Sequence, residues 1–422
     1  MAADTTEPAA DQPEPIPLSH PADGVPEVSA TAAQIRSAAE FLAGGHGPFA
    51  VDAERASGFR YSNRAYLIQV RRVGAGTVLI DPAGAGDDPL TLMRPIAEVL
   101  GEDEWILHAA DQDLPCLAEA GLRPPALYDT ELAGRLAGFD RVNLAAMVQR
   151  LLGLGLAKGH GAADWSKRPL PAAWLNYAAL DVEVLIELRD AIAEILDGQG
   201  KSDWAAQEFD HLRTAGATAT ATRRDRWRRT SGMHRVHDQR GLAAVRELWT
   251  ARDRIAQRRD IAPGRILPDS AIVAAALANP ATADELIALP VFGGPKQRRS
   301  AEIWLAALAA ARDNPGPLDT AEPYSGPPPA ARWSRRKPEA AERLEAARAA
   351  LGELAQRVSV PAENLLSPDL VRRLCWDWVR VTPQAATAVI DEFLSTSGAR
   401  TWQRELVVPA LASALTPSPG VP

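Results

Sequence analysis

The sequence predicts an α/β domain followed by all-helical domains, and three observations carry that prediction. Residues 31–195 alternate strand-like and helix-like segments. From about Gly198 onward no segment has strand character. A Pro-rich stretch at 314–336 then divides the helical remainder into two blocks. Three strand-like runs followed by helix–strand alternation imply a mixed sheet flanked by helices.

Within the first region, FAVDAE (49–54), AYLIQVRR (65–72) and TVLIDP (77–82) are short apolar and β-branched runs. Gly, Asn and Pro punctuate them at a spacing suited to neighbouring strands. LTLMRPIAEVLG (90–101) has helical periodicity, and EWILHAA (104–110) reads as a further strand. QDLPCLAEAGL (112–122) is helical, with Gly121 at its C-terminal cap. ALYDTELAGRLAG (126–138) and NLAAMVQRLLGL (143–154) read as two more helices. A loop, GLAKGHGAADWSKRPLP (155–171), leads into one long helix starting near Ala172. Residues 201–232 read as a basic linker, with Arg223, Arg224, Arg226, Arg228 and Arg229 around Trp227. Residues 233–313 and 337–416 are the helical blocks, and the Pro-rich 314–336 is an extended linker. Both blocks share the order helix, Pro-bounded loop, apolar helix, which suggests a duplication.

The 422 residues leave room for two to four domains. A formal net charge of −8 excludes a basic nucleic-acid coat protein but leaves local basic patches open. Cys116 and Cys375 are far apart, so neither a disulfide framework nor a cysteine zinc site is expected, and a reducing cytoplasm fits. No run approaches 18 apolar residues, and the N-terminus lacks the basic start of a signal peptide. Residues 1–30, rich in Pro, Ala and acids, are expected to be a disordered tail.

Four acids and a tyrosine carry the chemistry. Asp52 and Glu54 lie at i and i+2 of a strand and so share one face at the end of an apolar run. Asp113 sits where a strand hands over to a helix, and the Asp–Leu context favours it over Asp111, which reads as an N-cap. Tyr177 and Asp181, at i and i+4, share one helical face. Four converging carboxylates would repel one another, and two divalent cations would neutralise them. Oxygen ligands suit Mg²⁺ or Mn²⁺.

The ordered set Asp52-Ala-Glu54, His108 through Asp113-Leu114, Asp164-Trp165 with Arg168-Pro169-Leu170, and Tyr177 through Asp181 resembles the ribonuclease D family. These are DEDD-type 3′→5′ exonucleases of the tyrosine subclass, and the resemblance spans roughly residues 40–200. It implies a ribonuclease-H-like catalytic domain over 31–200. Residues 233–313, through LAAVRELWTARDRIAQRRDIAPGRILPDSAIVAAA, resemble the HRDC domain, with 337–416 as a candidate second copy. The resemblance implies that Asp52 bridges two metals, that Glu54 and Asp181 complete the site of the attacking water, and that Asp113 helps to hold the second ion. Tyr177 would orient that water and assist its deprotonation.

Other residues compete for functional roles. Lys158 and Arg168 are candidate phosphate neutralisers or loop anchors, and Arg223, Arg224 and Trp227 a candidate nucleic-acid contact. His108 to Asp113 also fits the spacing of the histidine subclass, but that reading would orphan Tyr177 and Asp181, so His108 is read as structural. His46, His160, His234 and His237 lack metal-ligand spacing and read as surface residues. The expected activity is 3′→5′ hydrolysis of single-stranded RNA ends to nucleoside 5′-monophosphates, with tRNA trimming as the natural task. The alternatives are action on DNA, a non-catalytic nucleic-acid scaffold, or a metal-free carboxylate-pair hydrolase. No residues call for a membrane or a protein partner.

Overall fold

The computed structural model describes residues 14–84, 88–157, 159–216, 225–316, 318, 326–379 and 381–416. The chain enters through β1 (Ile16–Leu18), β2 (Val28–Ser29) and α1 (Ala32–Ala43), then runs through β3 (His46–Arg55), β4 (Ala65–Val73) and β5 (Gly76–Ile80). It continues as α2 (Pro89–Leu100), β6 (Trp105–Leu107), α3 (Leu114–Glu119), β7 (Leu127–Asp129), α4 (Thr130–Leu136) and α5 (Leu144–Leu152). β8 (Leu154–Leu156), α6 (Ala172–Glu183), α7 (Leu185–Gly198) and α8 (Ser202–Gly216) complete this part.

Six strands form one mixed sheet in the order β2–β5–β4–β3–β6–β7. β3 lies inside it, antiparallel to β4 and parallel to β6. Strand alternation sends Phe49, Val51 and Ala53 to one face and Ala50, Asp52 and Glu54 to the other. α6 packs across β3, β4 and β5. It brings Asp181 to the face that carries Asp52 and Glu54.

Several expectations need correction. Residues 14–30 are not a disordered tail: β1 pairs in parallel with β8, and β2 with β5. An acidic, Pro-rich composition offers little local drive to order, but partners distant in sequence supply it. Residues 1–13 of the expected tail lie outside the described residues. Leu127–Asp129, read as part of a helix, is the edge strand β7 beside β6. The loop beginning at residue 155 overlaps β8, and the long helix from Ala172 is broken at Val184 into α6 and α7. The supposed linker at 201–232 opens with the 15-residue α8, which buries Ala205 and Phe209 in the catalytic core.

The middle block comprises α9 (Gln239–Arg259), α10 (Pro263–Ile266), α11 (Asp269–Ala278), α12 (Ala283–Ile287), α13 (Pro295–Arg298) and α14 (Ala301–Asp313). Leu248, Ile272, Phe292 and Trp304 fill its separate core. The last block comprises α15 (Trp333–Arg336), α16 (Pro338–Val358), α17 (Ala362–Leu365), α18 (Pro368–Asp377), α19 (Pro383–Thr396) and α20 (Thr401–Leu415). It shares one apolar core with the catalytic domain. Trp402 stacks on Trp204 of α8 at 4.9 Å and donates its indole N–H to Glu208. The end of the expected 314–336 linker is also packed, with Trp333 fully buried against Trp376. Trp378 is buried in the same core. Among the described residues, no helix is long and apolar enough to cross a membrane.

The suspected duplication has a structural counterpart. α9, α10 and α11 are 21, 4 and 10 residues long, and so are α16, α17 and α18. Each long helix ends in a left-handed residue, Asp260 (φ 46°) or Ser359 (φ 50°). Both turns dock on the catalytic domain. Asp260 accepts backbone N–H groups of Tyr61 and Ser62, while the Ser359 carbonyl meets Gly138 and Lys201.

Candidate active site

Asp52 and Glu54 lie near the C-terminal end of β3, where the strand leaves the apolar core. Carboxylate oxygens of Asp52, Glu54 and Asp181 lie within 4.8 Å of one another. Asp113 immediately precedes α3 and makes no capping hydrogen bond, so its carboxylate is free to face the cleft. It is buried and pairs with Arg55 at 3.4 Å, whereas Asp111 is exposed. All four acids and Tyr177 line one cleft of about 410 Å³.

Crowding and burial dominate the electrostatics. Glu54 is pushed up to about 10 by burial, then by Asp52, Asp181 and Asp113. Burial followed by the Asp52 charge raises both Asp113 and Asp181. Asp52 is raised by burial, against the opposing effects of the Ala53 N–H and Arg55. The Arg55 contact is the one salt bridge to these acids among the described residues. Converging oxygen donors with so little positive charge fit hard divalent cations.

The Tyr177 hydroxyl faces the Asp181 carboxylate, as their helical spacing anticipates. Its hydroxyl is raised above the ordinary phenol range by burial, then by the charges of Asp181 and Glu54. Gly159 lies directly against the ring, where an added Cβ would fall 2.0 Å from Cε2. His160, expected at the surface, is half-buried with its ring edge-on to Tyr177 at 5.8 Å. His108 lines the cleft but meets the Thr130 hydroxyl at 2.9 Å, and burial lowers it to about 4, which suits a structural role.

The expected nucleic-acid contacts fare differently. Arg168 donates to Asp81 at 2.6 Å and to the carbonyls of Trp165, Lys167 and Tyr66. These four bonds tie it to Asp81, to its own loop and to β4, as the anchor role requires. Trp227 is buried in the middle helical core and donates to Asp225, so it is no stacking platform. Lys158, Arg223 and Arg224 lie outside the described residues.

Two features escaped the sequence reading. Asp129 caps α4 through Leu132 N–H and also accepts the N–H groups of Ala109 and Ala110. It thereby shapes the turn that delivers Asp113, and its place before Thr-Glu-Leu was a readable N-cap signal. Arg60 donates to Ser166, whose hydroxyl donates to Asp164, linking the loop after β3 to the Asp-Trp loop. No spacing rule announces that link.

Three family models match this chain. They are a 3′–5′ exonuclease over residues 26–197, an HRDC domain over 241–308 and a 3′ to 5′ exonuclease C-terminal domain over 326–415. A Ribonuclease D of Gluconacetobacter diazotrophicus is 34% identical over 243 residues, covering 56% of this chain and 60% of that protein. The chain is similar to proteins of the ribonuclease D family. It spans 57% to 66% of the lengths of the first three curated relatives. The crystal structure of a protein from Bifidobacterium adolescentis matches with a TM-score of 0.86 and 38% identity, over 95% of this chain and 100% of that one. Escherichia coli RNase D shares the fold, with a TM-score of 0.65 at 22% identity over 93% of this chain and 99% of that one. The last helical block, expected as a second HRDC copy, thus matches a different model while sharing the helix lengths of α9, α10 and α11 in its own α16, α17 and α18.

Proposed function

We propose that this protein is a metal-dependent 3′→5′ exoribonuclease that releases nucleoside 5′-monophosphates from RNA ends. The observation that carries this is the convergence of Asp52, Glu54, Asp113 and Asp181 beside Tyr177 in one cleft. Asp52, Glu54 and Asp181, with Asp113 across the same cleft, would hold the divalent ions. Bound Mg²⁺ or Mn²⁺ would supply the Lewis acidity that activates water and stabilises the leaving 3′ oxygen.

The chain's own residues do the rest. Tyr177, beside Asp181 and backed by Gly159, orients the attacking water. A single strand bound there need not have its bases read, because phosphate contacts would set its position. The name Ribonuclease D borne by relatives supports RNA as the substrate, and trimming of tRNA precursors is the natural task.

The test is digestion of a 5′-labelled, 3′-hydroxyl RNA by wild type and Asp52→Asn, with Mg²⁺ or Mn²⁺ and with chelator, beside the matching DNA. The expected result is a metal-dependent ladder shortening from the 3′ end, faster on RNA and absent in the mutant. Shortening that survives chelator and mutation would place the chemistry elsewhere. Equal or faster shortening of DNA would reassign the substrate.

A further inference from the structure

Gln69 lies in the middle of β4 and is fully buried, at 0% exposure. Neither its amide nitrogen nor its amide oxygen has a hydrogen-bond partner. Native interiors rarely leave both ends of a side-chain amide unpaired, and a catalytic or ion-related role is one physical reason for an exception.

The sheet register supplies the context. Gln69 stands directly opposite Asp52 on β3, with Leu79 on its other side. Directly opposed residues of an antiparallel pair project to the same face, with Cβ atoms about 4.5–5.5 Å apart. The flanking residues identify that face. Leu67 packs in one cluster with Ala178 and Ala179 of α6, and Arg71 pairs with Glu183 at the end of the same helix. Gln69 therefore sits between them, beneath the helix that delivers Tyr177 and Asp181. Of its two cross-strand neighbours, Asp52 alone is polar.

We propose that Gln69 is a positioning residue for Asp52, its amide N–H holding the carboxylate in the orientation that a divalent cation requires. This rests on the metal-centre reading above. A carboxylate ligand is itself held in orientation by hydrogen-bond donors around it, and loss of such a donor lowers metal affinity about 10–100-fold. The Ala53 N–H and Arg55 favour the charged form of Asp52, but Arg55 is engaged with Asp113. Gln69 is placed to supply the side-chain donor.

The test replaces the amide by an apolar side chain of similar size, Gln69→Leu, with Gln69→Met as a second variant should the first fail to fold. Two quantities are measured on each full-length protein: the melting temperature without metal, and Mn²⁺ affinity by titration calorimetry. The expected result is opposite in sign for the two. Removing unpaired buried polar atoms leaves the metal-free melting temperature unchanged or higher, while Mn²⁺ affinity falls about 10-fold or more. Activity at limiting Mn²⁺ falls in parallel and recovers as Mn²⁺ is raised. Wild-type affinity in a folded variant would overturn the proposal, and so would a lower metal-free melting temperature with unchanged affinity. If the wild type itself binds no Mn²⁺, the metal-centre reading fails and this role with it.

Discussion

Asp260 accepts the backbone N–H of Ser62 at 2.8 Å, joining the middle helical domain to the loop between β3 and β4. The same oxygen takes the Tyr61 N–H, and the other takes the Tyr66 hydroxyl. That loop follows Glu54 and carries Arg60, which reaches Ser166 in the Asp-Trp loop. The HRDC domain is thus fastened to the scaffold of the active site.

Asp260→Ala should loosen this junction. It removes acceptors worth about 1–3 kcal/mol if the donors remain shielded, and it places Ala at a left-handed φ of 46°. Asp260→Asn keeps an acceptor oxygen and tolerates that backbone. The expected outcome is faster amide exchange at Tyr61 and Ser62 in the Ala variant and near-native protection in the Asn variant. Native protection in Asp260→Ala would mean that the remaining contacts, such as Ala262 N–H to the Phe59 carbonyl, suffice.

Gly159→Ala tests the support behind Tyr177. The added carbon would lie 2.0 Å from Cε2 and 2.5 Å from Cζ, so either the ring or the loop must move. Displacement of a positioning group by about 1 Å can lower turnover about 10²-fold. The expected outcome is a fall in kcat of that order on 3′-hydroxyl RNA, with little change in melting temperature. Steady-state kinetics and calorimetry on the same preparation check it, and an unaltered kcat would show that the loop does not set the ring.

The legibility of the site in the sequence followed from local periodicity. Asp52 and Glu54 share a face because strands repeat every two residues, and Tyr177 and Asp181 because helices place i and i+4 together. What remained hidden depended on partners distant in sequence. β7 is three residues long, and its strand character comes from pairing with β6. β1 is ordered by Leu154–Leu156, more than 130 residues away. Charge alone also misled. Arginines beside Trp227 suggested a nucleic-acid contact, although the indole is in a core. Arg168 was identified as either a phosphate contact or an anchor, and its pairing with the distant Asp81 was not readable from spacing.

Arg168→Ala separates those two roles in solution. Asp81 is buried and would lose its guanidinium partner, although Arg168 is itself about a third exposed and solvent screens the pair. A loss of about 1–2 kcal/mol in unfolding free energy is expected. A phosphate contact would in addition reduce the salt-dependence slope of RNA binding by about 1. The anchor role leaves that slope at its wild-type value, so binding measured over a range of salt concentrations decides the matter.

Asp129 gives the pH prediction. Burial raises its carboxyl to about 6, against the three backbone N–H groups of Leu132, Ala110 and Ala109 that favour the charged form. Below the unfolded value of about 4, both states hold the proton and the native state carries no penalty. Between about pH 4 and 6 the unfolded chain has released the proton while the native protein retains it, so stability falls as pH rises. Above about pH 6 the loss is complete, of order 3 kcal/mol for a shift of roughly two units. Many other carboxylates titrate in this range, so wild-type data alone would not isolate the effect. Asp129→Asn keeps an oxygen acceptor but cannot ionise, and the difference between the two proteins cancels the shared background. Denaturant unfolding at pH 4, 5, 6 and 7 should show wild type losing stability relative to Asp129→Asn as pH rises, with the change concentrated below about pH 6. A difference that stays constant across the series would mean that the three N–H donors outweigh burial, and that the turn leading to Asp113 is held by a carboxylate already charged at pH 4.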